Sequence, residues 1–215
     1  MYRAIIFDLD GTLVNSLEDL ADATNYGLGI MGIKSHPVEA FKTFVGDGTI
    51  KLCERALAGI TDDSSEVSRL HTMFSDYYNA HCMDKTKPYQ GIMELLNKLK
   101  QQNIIIAVAS NKPDEFSKHI VKKIFGENIF SVIMGKSPLR DTKPAPDIIF
   151  EILKNLGVSR NEAIMAGDSN VDILTAKNAG IASIGCTWGF RTRQELIDAG
   201  AANIADKPED ILKFL

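Results

Sequence analysis

Two aspartates stand two residues apart directly after a short apolar run: Ala4-Ile5-Ile6-Phe7 leads into Asp8-Leu9-Asp10-Gly11-Thr12. Carboxylates this close repel once both are ionised, so a shared site needs positive charge to offset them. A divalent cation with oxygen ligands does this. Asp168, in Gly167-Asp168-Ser169, can complete its shell from a distant part of the chain. Magnesium suits such a set, because it takes few carboxylates and keeps waters and a substrate phosphate as its other ligands. No cluster rich in His or Cys points to zinc.

The chemistry open to these groups is phosphoryl transfer. One carboxylate can attack phosphorus and form an aspartyl-phosphate. A second can protonate the leaving oxygen and then deprotonate the attacking water. The rest of the task is positioning and neutralising the phosphoryl oxygens. Lys143 is a candidate clamp, expected to be held extended by the following Pro144 and to stand at the start of a helix. Ser110 and Asn111 can donate hydrogen bonds to phosphate oxygens. Gly46 and Gly48 flank Asp47; their backbone N–H groups either reach substrate or simply link two helices.

The elements that must carry these residues follow from hydrophobic rhythm. Residues 4–7 read as a buried strand ending in a polar turn. From Ser16 to Met83 the pattern is helical, with Ser16 and Asp19 resembling a capping box and Pro37 placed where a helix can begin. After Pro88 helices alternate with strands. The predicted strands are 104–109, ended by Ser110-Asn111, then 131–134, 163–166 and 181–185. Predicted helices span 92–100, 116–125, 144–156 and 171–179, the last two closing at Gly157 and Gly180.

Such alternation implies parallel strands joined by right-handed crossovers, a doubly wound α/β sheet. The helical block then reads as an inserted α-helical cap at 16–83, with 1–15 and 84–215 forming the α/β core. Ligands bind such sheets beyond the carboxyl ends of the strands. Asp8, Asp10, Ser110, Asn111 and Asp168 all follow predicted strands, so separate strand ends converge on one crevice.

With 215 residues, 45% of them hydrophobic and 24% charged, the chain can build one such core and a small accessory domain. The net charge of -4 and scattered Lys and Arg argue against nucleic acid as the main partner. Three cysteines with no C-x-x-C fit a reducing compartment. No signal peptide is apparent, and the longest aliphatic run, 104–109, is far too short for a membrane span, so a soluble cytoplasmic protein is expected.

Asp8-Leu9-Asp10-Gly11-Thr12-Leu13 resembles the nucleophile motif of the haloacid dehalogenase-like hydrolase superfamily. Ser110-Asn111-Lys112-Pro113, Lys143-Pro144 and Gly167-Asp168-Ser169-Asn170-Val171-Asp172 resemble its next three motifs, in order and over essentially the whole chain. The resemblance implies Asp8 as nucleophile and metal ligand. Asp10 would be the general acid/base and bind metal through its backbone carbonyl. Asp168 would be the third ligand, Ser110 and Lys143 would hold phosphate, and Asp172 would support the metal shell or Lys143. Asp172 also fits a helix first-turn carboxylate.

Val45-Gly46-Asp47-Gly48, Asn111-Lys112-Pro113 and Thr187-Trp188-Gly189-Phe190 make the chain most similar to the phosphoglycolate phosphatase-like members. Asn15-Ser16 departs from the Asp-Ser those relatives often carry, a change expected to touch hinge hydrogen bonding rather than chemistry. The expected partner is a small phosphorylated metabolite. A β-phosphoglucomutase-like phosphoryl transferase and an inorganic pyrophosphatase are alternatives within the same chemistry. A receiver-like signalling module is the rival outside it, and such modules usually lack the inserted helices and the 167–172 motif.

Overall fold

The computed structural model describes residues 2–215. Strand β1 (Ala4–Phe7) is buried along its whole length, as a continuous apolar run requires when both faces of a sheet are covered. Its hydrogen-bonded neighbours come from distant parts of the chain. On one side lies β4 (Ile105–Pro113), with Phe7 opposite Val108. On the other lies β6 (Ala163–Gly167), with Phe7 opposite Ala166. Adding β5 (Val132–Lys136), β7 (Ala182–Cys186) and β8 (Asn203–Ala205) gives a six-stranded sheet in the order β5-β4-β1-β6-β7-β8. Every pairing is parallel. The strand order reverses around β1, where a doubly wound sheet opens its crevice.

Crossover helices cover the sheet: α5 (Ile92–Gln101), α6 (Asp114–Phe125), α7 (Asp147–Leu156), α8 (Asn170–Ala179) and α9 (Arg193–Asp198). Alternate residues of β1, Ala4 and Ile6, join Ile148, Ile149 and Ile152 of α7 and Ala176 of α8 in one buried cluster. Each of these isoleucines, fully buried, contributes roughly 1.5–3 kcal/mol relative to exposure. Helices α7 and α8 end at Gly157 and Gly180, which take the left-handed conformation the sequence calls for there.

The chain divides into two compact units, residues 1–14 with 88–215, and residues 15–87. Two-residue strands β2 (Val14–Asn15) and β3 (Lys87–Pro88) lie at the crossings. The second unit is helical: α1 (Leu17–Ile30), α2 (Phe41–Phe44), α3 (Thr49–Leu57) and α4 (Ser64–His81). Its interior includes Leu28, Phe41, Leu52, Leu70, Phe74 and Tyr78. Among the described residues, no helix is long and apolar enough to cross a membrane.

Four local expectations need correction. Ser16 and Asp19 form no capping box; Ser16 makes no side-chain cap bond. The Asp19 carboxylate instead accepts Lys85 N–H, Thr86 N–H and Thr86 Oγ1–H, the last at 2.6 Å. Those bonds tie residues 85–86 to α1, so the helical unit extends past Met83 to Lys87. Pro37 does stand where helical structure begins, since a 3-10 turn, Val38–Ala40, runs directly from it into α2. Strand β4 does not stop at Ala109; it runs through Ser110-Asn111-Lys112 to Pro113. Its register against β5 shifts there, with Ala109–Pro113 facing only Met134–Lys136. Lys143 is not at a helix start, because α7 begins at Asp147. The Asn15 departure is locally satisfied: its Oδ1 accepts the Leu17 N–H at 3.3 Å.

Candidate active site

The register of the central strands brings separate strand ends level. Asp8 follows β1, Ser110 and Asn111 occupy the irregular end of β4, and Asp168 follows β6. Asp8, Asp168 and Asp172 are buried, and one carboxylate oxygen of each lies within 4.8 Å of the others. Lys143 Nζ sits among them, donating to Asp8 Oδ1 at 2.8 Å, Asp172 Oδ1 at 2.7 Å and the Ala109 carbonyl at 2.8 Å.

The three carboxyl groups are buried and share one ammonium, and the titration behaviour follows from burial first and from that shortfall of positive charge second. Burial, then the neighbouring Asp172 charge, pushes the Asp8 carboxyl well above the ordinary range, with Lys143 opposing. The same two causes push Asp168 up to about 7, although the Phe190 N–H and Thr12 hydroxyl pull it back. Burial works against the Lys143 charge, yet Asp172 and Asp8 hold its pKa above that of an ordinary lysine. A cluster with surplus negative charge and oxygen donors only matches a hard divalent cation. The residues present therefore fit magnesium.

Asp172 uses both oxygens within the protein. Oδ1 takes Lys143, and Oδ2 accepts Ser169 N–H and Oγ–H in a capping box at the start of α8. It thereby orients Lys143. The Asp10 carboxylate points elsewhere, with both oxygens 3.0 Å from Lys112 Nζ. Ser110 is buried, and its Oγ accepts the Lys112 N–H at 3.2 Å. The Asn111 side-chain amide grips the Lys143 backbone, donating to its carbonyl at 3.0 Å and accepting its N–H at 2.9 Å. Gly46 and Gly48 lie in the helical unit on either side of Asp47, which pairs with Arg55.

Three features carry roles that the sequence motifs did not assign to them. Lys112 was visible only as part of a motif, since a lysine ordinarily reads as a solvated surface group; here it is buried. Thr12 donates its hydroxyl to Asp168 Oδ1 at 2.8 Å. The 187–190 segment completes that grip: Phe190 N–H donates to Asp168 Oδ2 at 2.8 Å, and Trp188 Nε1–H donates to the Thr12 carbonyl at 3.0 Å. The tail's Trp-Gly-Phe run was the available signal.

The family model for haloacid dehalogenase-like hydrolases matches residues 5–186, a span that contains every one of these carboxylates. The chain belongs to that family. Within it, this haloacid dehalogenase-like hydrolase is 32% identical over 220 residues to the phosphoglycolate phosphatase of Mannheimia succiniciproducens, with 100% of this chain and 98% of the relative covered. A crystal structure from Lactobacillus delbrueckii subsp. bulgaricus superposes with a TM-score of 0.95 at 35% identity, covering 99% of this chain and 98% of that one. CbbY from Rhodobacter sphaeroides, solved in complex with phosphate, gives a TM-score of 0.81 at 26% identity, covering 98% and 96% of the two chains.

Proposed function

We propose that this hydrolase is a phosphatase that removes the phosphoryl group from a small phosphate monoester of the phosphoglycolate type, with Asp8 as nucleophile. The observation that carries the reading is the Asp8 carboxylate, buried beyond the central strand and held at 2.8 Å by the buried ammonium of Lys143. The phosphoglycolate phosphatases among its relatives support the substrate class.

In the first step an Asp8 oxygen attacks phosphorus. The ester P–O bond breaks, its electron pair leaves with the alcohol oxygen, and Asp10 supplies that oxygen with a proton. In the second step Asp10 takes a proton from water as the water oxygen attacks the aspartyl-phosphate. The bond from phosphorus to Asp8 breaks, the carboxylate is restored, and inorganic phosphate leaves. Lys143 neutralises charge on the phosphoryl oxygens. The Ser110 hydroxyl donates to them, and Asn111 acts by fixing Lys143. Gly46 and Gly48 are proposed as backbone donors to substrate.

Asp8, Asp168 and the Asp10 backbone carbonyl would hold magnesium, with Asp172 as the supporting carboxylate. When bound, the ion adds neutralisation of phosphoryl charge.

Phosphate release from a panel of small phosphorylated acids and sugars, with magnesium or with chelator, tests this reading. Selective, magnesium-dependent turnover that Asp8→Asn abolishes is expected. Turnover that survives Asp8→Asn in a folded protein contradicts it.

A further inference from the structure

Lys112 and Asp10 form an ion pair between positions 102 residues apart, with side chains only 3% and 12% exposed. Taking two charges out of water costs several kcal/mol per ion, and a buried pair commonly returns no more than that. Fold stability alone therefore gives little reason for a cation here. What the pair does supply is orientation. Nζ lies 3.0 Å from both Asp10 oxygens, which fixes the direction in which the carboxylate faces.

The hold is itself braced. Lys112 N–H donates to Ser110 Oγ at 3.2 Å, and its carbonyl accepts Ser117 Oγ–H from α6 at 3.2 Å. The register shift in β4 lies in this same stretch, between Ala109 and Pro113. Asp10 is fixed from its own side: it bridges to Val14, and Gly11 N–H donates to the Val14 carbonyl at 2.9 Å.

We propose that Lys112 is the positioning residue for the acid/base carboxylate of Asp10, acting on both proton transfers without touching the phosphoryl group. The inference rests on the reading of Asp10 given above. It separates Lys112 from Lys143, whose ammonium lies against the nucleophile.

The test uses p-nitrophenyl phosphate, whose leaving group departs without a proton, and rapid mixing to resolve the first turnover. Positioned acid–base catalysis is worth about 10²–10⁴-fold. Asp10→Asn is expected to retain a rapid burst of one nitrophenol per enzyme and to lose about 10²-fold or more in the turnover that follows. Lys112→Met is expected to show the same split. The double variant is expected to be no slower than Asp10→Asn alone, because a residue acting only through Asp10 has nothing left to act on.

If Asp10→Asn shows the split but Lys112→Met loses burst and turnover together, or turns over like the wild type, the proposal is overturned while the Asp10 reading stands. If Asp10→Asn shows no split, the Asp10 reading fails and takes the proposal with it. Should Lys112→Met not fold, the double variant, which leaves no unpaired charge, decides. A burst and turnover equal to those of Asp10→Asn support the proposal, and a slower burst overturns it.

Discussion

Asn111 holds Lys143 by the backbone, its amide nitrogen 3.0 Å from the Lys143 carbonyl and its amide oxygen 2.9 Å from the Lys143 N–H. The two bonds pin a loop residue to the end of a central strand. From that point the Lys143 side chain reaches Asp8 and Asp172. The ammonium at the centre of the site is thus placed by an asparagine that need not touch substrate.

Replacing Asn111 with Ala leaves both Lys143 backbone groups without these partners in a buried setting. A cost of about 1–3 kcal/mol is expected for such a loss, read as a lower urea midpoint at unchanged slope. Activity is expected to fall by about 10²-fold, mainly in kcat, since a displacement of about 1 Å at a reacting centre has that effect. Unchanged kcat would show that Lys143 keeps its place without the clamp.

Gly189 lies against Asp168. A Cβ there would meet Asp168 Cβ at 2.3 Å and the Gly11 carbonyl at 2.4 Å, so Gly189→Ala must displace one or both. The neighbouring Phe190 N–H to Asp168 bond would shift with it. Disturbing groups that orient a metal ligand typically costs about 10–100-fold in affinity. Calorimetric titration with magnesium is expected to show a loss in that range. An unaltered affinity would place the ion away from Asp168.

Asp168 also predicts how the metal-free protein responds to pH. Burial and Asp172 raise its folded pKa to about 7, above the ordinary 3.8. A carboxyl raised in this sense binds its proton more tightly folded than unfolded. Its contribution to stability is full below about pH 4 and is lost as pH rises through about 7. In chelator, the melting temperature of the wild type is therefore expected to fall relative to Asp168→Asn across that interval. Magnesium competes with the proton, so its stabilising effect is expected to grow from pH 5.5 to pH 8 as Asp168 ionises. Parallel pH profiles for wild type and Asp168→Asn would count against the shift.

The fold was legible because its signals were local and periodic. The apolar run 4–7, the alternation after Pro88 and the helix stops at Gly157 and Gly180 all correspond to elements found. Asp8 and Asp168 were legible as strand-end carboxylates, and the register brings them together. Tertiary partners were not legible. Ser110-Asn111-Lys112 reads as a polar turn, yet these residues are buried in a strand because Asn111 grips Lys143 and Lys112 pairs with Asp10. Asp19 sits at capping-box spacing from Ser16, but three donors from residues 85–86 claim its carboxylate. In each case a partner distant in sequence outweighed a local preference.

The central claim is that Asp8 carries the phosphoryl group between two steps. Asp10→Asn should slow the second step and let that species accumulate. The decisive measurement is to mix this variant with magnesium and p-nitrophenyl phosphate, quench in acid and map phosphorylated peptides by mass spectrometry. The account predicts near-stoichiometric phosphate on Asp8, removable by hydroxylamine and absent from the Asp8→Asn/Asp10→Asn double variant. Nitrophenol release with no phosphorylated protein, or a phosphoryl group on any residue other than Asp8, would contradict it.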